Sequence, residues 1–123
     1  TAVFDEVFAA DFLGHDPSGP VHEMHGPEGF KQAYAIYRTA FPDTHLTIED
    51  QIAEGDRVVS RWTATGTNQG SLMGMPPSGK RVAVTGITIS RFAGSKIKEA
   101  WYSYDTLGML QQLGALPMPG QAS

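Results

Sequence analysis

The segment at residues 94–116 changes from the spacing of a strand to the spacing of a helix at a single residue. It reads GSKIKEAWYSYDTLGMLQQLGAL. Up to Asp105 the side chains alternate, so Trp101 and Asp105 share one face. The pattern predicts a strand over 97–105 and a helix over 106–113, with one carboxylate at the junction. An acid at the end of an aromatic-rich strand can be kept partly dry, as acid–base chemistry requires.

Two helices are predicted before the main strands begin. Residues 3–12 carry apolar side chains at helical spacing, and residues 13–27 collect the Gly, Pro, His and Asp residues that indicate a loop. Pro27 and Glu28 mark the start of the second helix, because proline is tolerated in a first turn and an acid complements the helix dipole there. Pro42 ends this helix after an apolar stripe.

From residue 44 onward the apolar residues recur with a period of two. Strands are predicted over 45–51, 57–67 and 81–92, with a Glu-Gly-Asp hairpin turn between the first two. Gly86, in the middle of the third of these strands, predicts a bulge or a bend. Helices followed by antiparallel strands predict an α+β fold, with the helices on one face of a bent sheet that encloses a ligand pocket.

The composition bounds the size of the fold and its partners. A chain of 123 residues is long enough for one hydrophobic core and too short for two, so a single domain over 1–123 is predicted. The net charge of −4 and the scattered Lys and Arg residues argue against nucleic acid and against a membrane surface as partners. The sequence has no cysteine, which excludes a disulfide and fits a reducing cytoplasm.

Five stretches, in this order, resemble the SnoaL-like polyketide cyclase (ester cyclase) family. They are FLGHDP, GPEGFKQAYAIYRTAFPD, DRVVSRWTATGTNQG, GMPPSGKRVAVTGITISRF and KIKEAWYSYDTLGMLQQLG. The resemblance implies a cone-shaped α+β barrel, in which a curved antiparallel or mixed sheet wraps around helices. Ketosteroid isomerases and limonene epoxide hydrolases share this fold. It also implies a homodimer or a larger homo-oligomer.

The resemblance also indicates a difference at the start of the chain. Family members begin with a further long helix, which has no counterpart before VFDEVF in this sequence. We therefore expect a pocket that is open or that a partner chain fills. At the other end, residues 117–123 are expected to be an irregular tail.

Asp105 is the predicted catalytic residue. In the family the acid at this junction transfers protons during an intramolecular aldol ring closure, which needs no metal or organic cofactor. Trp101 on the same face would shield the carboxyl from water and thereby raise its pKa. The alternative is that Asp105 only caps the following helix by accepting backbone N–H bonds, which would lower its pKa.

Four further polar residues are predicted to bind the substrate through its carbonyl groups: His15, Arg61, Thr63 and Asn68. His15 could instead be a turn residue, and Arg61 could form a surface ion pair. Asn68 stands where many relatives have His. Limonene epoxide hydrolases use an Asp-Arg-Asp set, and Thr63 stands where the second acid would be, which disfavours epoxide hydrolysis.

Aromatic residues complete the predicted binding site, since flat hydrophobic ligands favour aromatic walls. The candidates are Trp62, Trp101, Tyr34 and Phe41, each of which could simply be a core residue. The stretch His-Glu-Met-His at residues 22–25 lacks the spacing of a helical zinc motif, so no metal is predicted.

The sequence therefore predicts a cofactor-independent cyclase-like enzyme that acts on a hydrophobic, carbonyl-bearing small molecule. One alternative is a non-catalytic module that binds small molecules on the same scaffold. Another is an epoxide hydrolase or isomerase variant.

Overall fold

The computed structural model describes residues 2–72 and 74–114, in which six strands form one curved sheet. The strand order is β2-β1-β6-β5-β4-β3. Neighbouring strands are antiparallel except β1 and β6, which are parallel. The strands are β1 (Phe8–His15), β2 (Glu23–His25), β3 (His45–Glu54), β4 (Arg57–Thr67), β5 (Arg81–Ala93) and β6 (Lys96–Tyr104).

The three helices are α1 (Ala2–Val7), α2 (Gly26–Ala40) and α3 (Thr106–Gln112). Together with the sheet they make the α+β architecture that the sequence predicts. None of the helices in the described ranges combines the length and the apolar character needed to cross a bilayer. The predicted tail at 117–123 lies outside the described residues.

The two faces of the sheet differ sharply in burial. Along β5, Val82, Val84 and Gly86 are buried, whereas the residues between them are exposed. We call the face that carries Val82 and Val84 the inner face, because it packs against residues of α2 and α3 such as Ala40 and Met109. The opposite face is called the outer face. Each large apolar side chain buried on the inner face contributes about 1.5–3 kcal/mol to the free energy of unfolding.

A second buried cluster lies at the other end of the inner face. It joins Phe8 and Phe12 of β1 to Met24 of β2, Ala33 of α2 and Ala100 of β6. Phe12 is 1% exposed. The parallel pairing of β1 with β6 therefore closes the sheet over the first half of α2.

The prediction of a helix over residues 3–12 is wrong beyond Val7. The chain changes to a strand at Phe8, and the predicted loop contains the end of β1 and the short β2. The spacing of four between Phe8 and Phe12 fits one face of a helix, but it also fits one face of a strand. Hydrophobic period alone could not separate the two structures here.

The remaining predicted elements are confirmed with small shifts at their ends. The second predicted helix is α2, with a proline at its first turn, and it ends at Ala40 because Phe41 leaves helical geometry before Pro42. The predicted hairpin turn joins β3 to β4, where Gly55 has a φ of 60°. This left-handed conformation favours glycine.

Gly86 does not mark a bulge. The register of β4 with β5 runs without a shift past Trp62 and Gly86. A Cβ on Gly86 would collide with the ring of Trp62, which lies directly over it. The missing side chain therefore makes room for an indole on the inner face, and the predicted bulge at this position is wrong.

Candidate functional site

Most of the predicted polar site residues lie on the outer face. Arg61 on β4 pairs with Ile87 on β5, which pairs with Ser103 on β6. These three residues line an open cleft of about 570 Å³, and Asp105 lies at its end. Thr63 is two residues along β4 from Arg61 and shares its face.

Asp105 is the N-cap of α3. Its Oδ1 accepts a hydrogen bond of 2.9 Å from the backbone N–H of Gly108, and its own N–H donates to the carbonyl of Thr85 at 3.0 Å. A Cβ on Gly108 would collide with the carboxylate, so the glycine allows this close approach. Asp105 is exposed. The structure therefore has the capping geometry that was the alternative to the catalytic role.

Trp101 does not shield Asp105. Its ring stacks on His15, with the centroids 5.6 Å apart, and the guanidinium of Arg57 lies over its ring. His15 Nε2 lies 2.7 Å from Oε2 of Glu99, and Arg91 donates to Oε1 of the same carboxylate at 3.1 Å. The hydrogen bonds from His15 and Arg91 hold the pKa of Glu99 below its ordinary value. These residues form an ion-pair network on the outer face.

Three other predicted site residues, Asn68, Phe41 and Tyr34, do not line the cleft on the outer face. The amide of Asn68 is buried, donates to the carbonyl of Gly70 at 2.8 Å and accepts from the N–H of Ser78 at 2.8 Å. These bonds hold the connection between β4 and β5, and they use the amide that was predicted to bind a substrate carbonyl. Phe41 is a core residue, and Tyr34 is 44% exposed on α2 beside Phe30.

The inner face holds a polar cluster that was not predicted. Asp16 follows directly after β1 and is only 4% exposed. The hydroxyl of Tyr104 donates to Oδ2 of Asp16 at 3.3 Å, and the hydroxyls of Tyr104 and Tyr37 lie 2.7 Å apart. Oδ1 of Asp16 is buried and accepts no hydrogen bond from the described residues. We call Asp16, Tyr37 and Tyr104 the inner polar cluster.

Burial controls the protonation of this cluster. It raises the pKa of Asp16, although the hydrogen bond from Tyr104, the N–H of Gly19 and the nearby His22 each act in the opposite direction. Burial also raises the pKa of Tyr37 and of Tyr104 above the ordinary tyrosine value. The two hydroxyls therefore stay protonated and act as hydrogen-bond donors, and the carboxyl holds its proton to a higher pH than usual.

An aromatic surface extends from the cluster across the sheet. The ring of Trp62 lies 6.1 Å from that of Tyr104, and its Nε1 donates to Thr88 at 2.9 Å. Ile48 on β3 pairs with Trp62 and is 47% exposed, so this end of the inner face is open. Two predicted site residues therefore contact the inner polar cluster: Trp62 packs near Tyr104, and the N–H of Phe41 donates to the carbonyl of Tyr37.

The sequence contained a partial signal for this cluster. His15 and Asp16 are neighbours at a strand end, so their side chains point to opposite faces. His15 is the residue predicted to bind the substrate. The structure instead places Asp16 on the inner face and His15 on the outer face. Tyr102 and Tyr104 alternate with Trp101 and Ser103, so β6 has an aromatic residue on each face. Composition could not tell which face the helices cover.

Comparison with known proteins places this architecture in one family. The family model for the SnoaL-like polyketide cyclase matches residues 1–113. The aklanonic acid methyl ester cyclase DnrD of Streptomyces peucetius is 32% identical over 103 residues, covering 83% of this chain and 68% of the relative. The nogalonic acid methyl ester cyclase of Streptomyces nogalater is 31% identical over 112 residues, covering 89% of this chain and 82% of the relative.

The fold agrees with these matches. A structure assigned to the SnoaL-like polyketide cyclases, from Jannaschia sp. CCS1, superposes with a TM-score of 0.83 at 28% identity. The match covers 94% of this chain and 79% of that one. The chain belongs to the SnoaL-like polyketide cyclase family, as its sequence motifs indicated.

Proposed function

We propose that this protein is a ring-closing enzyme that acts on a hydrophobic small molecule carrying carbonyl groups. The reaction is an intramolecular aldol addition that needs only proton transfers from the chain itself. The observation that carries the proposal is the inner polar cluster, where two tyrosine hydroxyls lie 2.7 Å apart beside a buried carboxyl. The relatives that are named as cyclases support the same reaction class.

The chemistry of the cluster suits a carbonyl substrate. Tyr37 donates to Tyr104 and Tyr104 donates to Asp16, and this chain of hydrogen bonds holds the carboxyl in position for a proton transfer to or from a bound carbonyl compound. The open aromatic surface around Trp62 offers stacking area for the flat, apolar part of such a molecule. A substrate that delocalises the carbanion into its own carbonyl groups supplies the remaining stabilisation, so the proposal includes no cofactor.

The catalytic role of Asp105 stays a prediction. Its carboxylate is exposed, and it already accepts the N–H of Gly108 as the cap of α3. Arg61 and Thr63 line or flank the same outer cleft, so they could act only on a ligand bound there. Thr63 brings no second acid to this cleft, so nothing there supports epoxide hydrolysis.

The second candidate function is a module that binds small molecules without changing them. The capping geometry of Asp105 favours it, because the predicted catalytic group already has a structural partner. The homo-oligomer predicted from the family resemblance is compatible with either function and stays a prediction. Size-exclusion chromatography with light scattering would measure its mass.

Incubation with aklanonic acid methyl ester and with nogalonic acid methyl ester separates enzyme from binding module. Intramolecular aldol addition is an isomerisation that adds and removes no atoms. The expected product therefore has the mass of the substrate and a different chromatographic retention. We expect conversion in buffer with a chelator and without added cofactor. Tight binding of either ester, measured by fluorescence quenching of tryptophan, with no isomeric product would favour the binding module.

A further inference from the structure

We infer that Asp16 is the base that takes the proton from carbon in this reaction, and that Tyr104 is the residue that positions it. The inference rests on the proposed function and names the group that starts it. It replaces the exposed carboxylate of Asp105 with a buried one on the other face of the sheet. Three observations support it: the backbone hydrogen bonds that hold Asp16, the buried Oδ1 that has no partner among the described residues, and the hydrogen bond from Tyr104 to Oδ2.

The backbone holds Asp16 in place from both sides. Its N–H donates to the carbonyl of His22 at 2.8 Å, and its carbonyl accepts from the N–H of Gly19 at 3.0 Å. A Cβ on Gly19 would collide with the carboxylate and would lie 2.9 Å from the hydroxyl of Tyr104. The turn therefore presents the carboxyl to Tyr104 in one orientation, and glycine at residue 19 keeps the approach clear.

The free oxygen is the feature that indicates a ligand. Almost all buried polar atoms in proteins have a hydrogen-bond partner, because an unpaired one loses its interaction with water. Oδ2 of Asp16 has Tyr104, whereas Oδ1 has no partner among the described residues. A purely structural carboxyl in this turn would be expected to use both oxygens. A free oxygen on a carboxyl whose other oxygen is held by Tyr104 is arranged to receive a proton from a bound molecule.

The step balances with the groups present. Oδ1 of Asp16 takes a proton from the carbon next to a substrate carbonyl, and the C–H electron pair moves into that carbonyl as an enolate. The enolate carbon then attacks a second carbonyl of the same molecule, which forms the C–C bond and leaves an alkoxide. The neutral Asp16 returns its proton to this alkoxide, so the carboxylate is restored and no other reactant is consumed.

The surroundings of Asp16 match this role. Tyr37, Tyr102 and Tyr104 lie on the elements packed against it and stay uncharged at neutral pH, and His22 is the nearby group that can be positive. A base in such a dry site is stronger than an exposed carboxylate. By contrast, Asp105 faces Gly108 N–H and solvent.

Hydrogen–deuterium exchange of 2-tetralone in D₂O tests the first step alone. This flat ketone has exchangeable protons beside its carbonyl, and NMR follows their loss without any ring closure. Asp16→Asn keeps the shape of the side chain and its ability to accept from Tyr104, but it removes the base. We expect its exchange rate to fall by about 100-fold or more. Asp56→Asn, in the hairpin between β3 and β4, serves as the matched surface control and should exchange at the wild-type rate.

Asp105→Asn is the rival variant in the same assay, because asparagine also caps helices well. A large loss in Asp105→Asn with a wild-type rate in Asp16→Asn would overturn the inference. So would the absence of any acceleration by the wild-type protein. Ring closure of the two esters is a separate measurement. Its absence, together with the expected exchange results, would contradict the proposed function and leave Asp16 as a base for carbon acids.

A titration distinguishes catalysis from a merely structural role. Tyr104→Phe removes the hydrogen bond that lowers the pKa of Asp16, so the pH at which exchange becomes half-maximal should move upward. The ¹³C resonance of the Asp16 carboxyl, assigned by its loss in Asp16→Asn, should titrate at the same pH in each protein. A carboxyl that titrates at or below the ordinary aspartate value would overturn the inference, as would an unchanged pH profile in Tyr104→Phe.

Discussion

The inner and outer faces of the sheet treat their carboxyl groups in opposite ways. On the outer face, Glu99 accepts hydrogen bonds from His15 and Arg91, which keep it ionised. On the inner face, Asp16 is buried, one of its oxygens has no partner within residues 2–72 and 74–114, and burial raises its pKa. Strand β6 contributes to both faces through residues that are adjacent in sequence. At the end of β1, His15 and Asp16 are also consecutive, and their side chains lie on opposite faces. A shift of one residue therefore separates a member of the ion-pair network from the carboxyl to which we assign the proton transfer.

The largest expected difference between the faces is in packing. Phe12→Ala, in the buried apolar cluster at the β1 end of the inner face, should lower the free energy of unfolding by about 3–5 kcal/mol, because it removes a buried ring and leaves a cavity. Ile52→Ala, at a residue 64% exposed on β3, should change it by less than about 0.5 kcal/mol. Urea denaturation followed by circular dichroism measures both. Equal losses would contradict the assignment of the core to the inner face.

The next effect concerns the indole that lies over Gly86. Gly86→Val places methyl groups where the Trp62 ring is, so we expect a loss of about 1–3 kcal/mol from overpacking. The neighbouring change Ile87→Val, on the outer face, should cost less than about 0.5 kcal/mol. The Trp62 fluorescence should also shift towards that of a more exposed indole in Gly86→Val. A stable Gly86→Val variant with unchanged fluorescence would break the assigned register of β4 with β5.

A smaller effect is expected at the cap of α3. Asp105→Ala removes the acceptor for the Gly108 N–H and should lower the free energy of unfolding by about 0.5–2 kcal/mol. Asp105→Asn should be close to neutral because it keeps an acceptor at the cap. The same denaturation experiment compares the two variants. If alanine costs nothing, the capping bond does not stabilise the helix, and the outer carboxylate would again be available for another role.

The smallest expected effect is the opposite pH dependence of the two faces. A raised pKa means that the folded protein holds the Asp16 proton where the unfolded chain has lost it. The stabilising contribution of neutral Asp16 is therefore lost as the pH rises through the raised value. Asp16→Asn should gain stability relative to the wild type as the pH rises from the ordinary aspartate pKa through the raised one. Tyr37, Tyr102, Tyr104 and His22 face this group, and the tyrosines do not titrate in that window.

Glu99 provides the comparison in the other direction. Its pKa is lowered, so its contribution is present above the ordinary glutamate value and is lost as the pH falls through the lowered one. Glu99→Gln should therefore be less stable than the wild type near neutral pH, and the difference should shrink in acid. Parallel pH curves for Asp16→Asn and Glu99→Gln would show that the two faces do not differ as described.

Much of the fold could be predicted from local patterns. Strands β4 and β5 and helix α2 carry clear periodicity and strong end signals such as Pro27 and Pro42, and they fold as expected. Strand β1 could not be recognised, because the spacing of Phe8 and Phe12 fits a helix equally well and the strand is stabilised by pairing with the distant β6. Tertiary pairing outweighed the local preference there.

The candidate site was harder to predict for a related reason. Alternation shows which residues share a face, but it does not show which face the helices cover. With Trp101 on one side of β6 and Tyr102 and Tyr104 on the other, both faces look equally apolar in the sequence. The face that becomes buried is determined by α2 and α3, whose apolar residues pack on the side of Tyr102 and Tyr104. As a result, the side chain of Asp16 is buried on the inner face, whereas that of His15 lies on the outer face.

The parallel pairing of β1 with β6 has a consequence for how the protein acquires its activity. Asp16 and Tyr104 are 88 positions apart along the chain. Contacts across such long intervals form late, because the entropy of closing the intervening loop opposes them. A ribosome must synthesise and release the segment from Asp16 to Tyr104 before the two groups can meet, so shorter nascent chains carry the acid without the phenol that orients it.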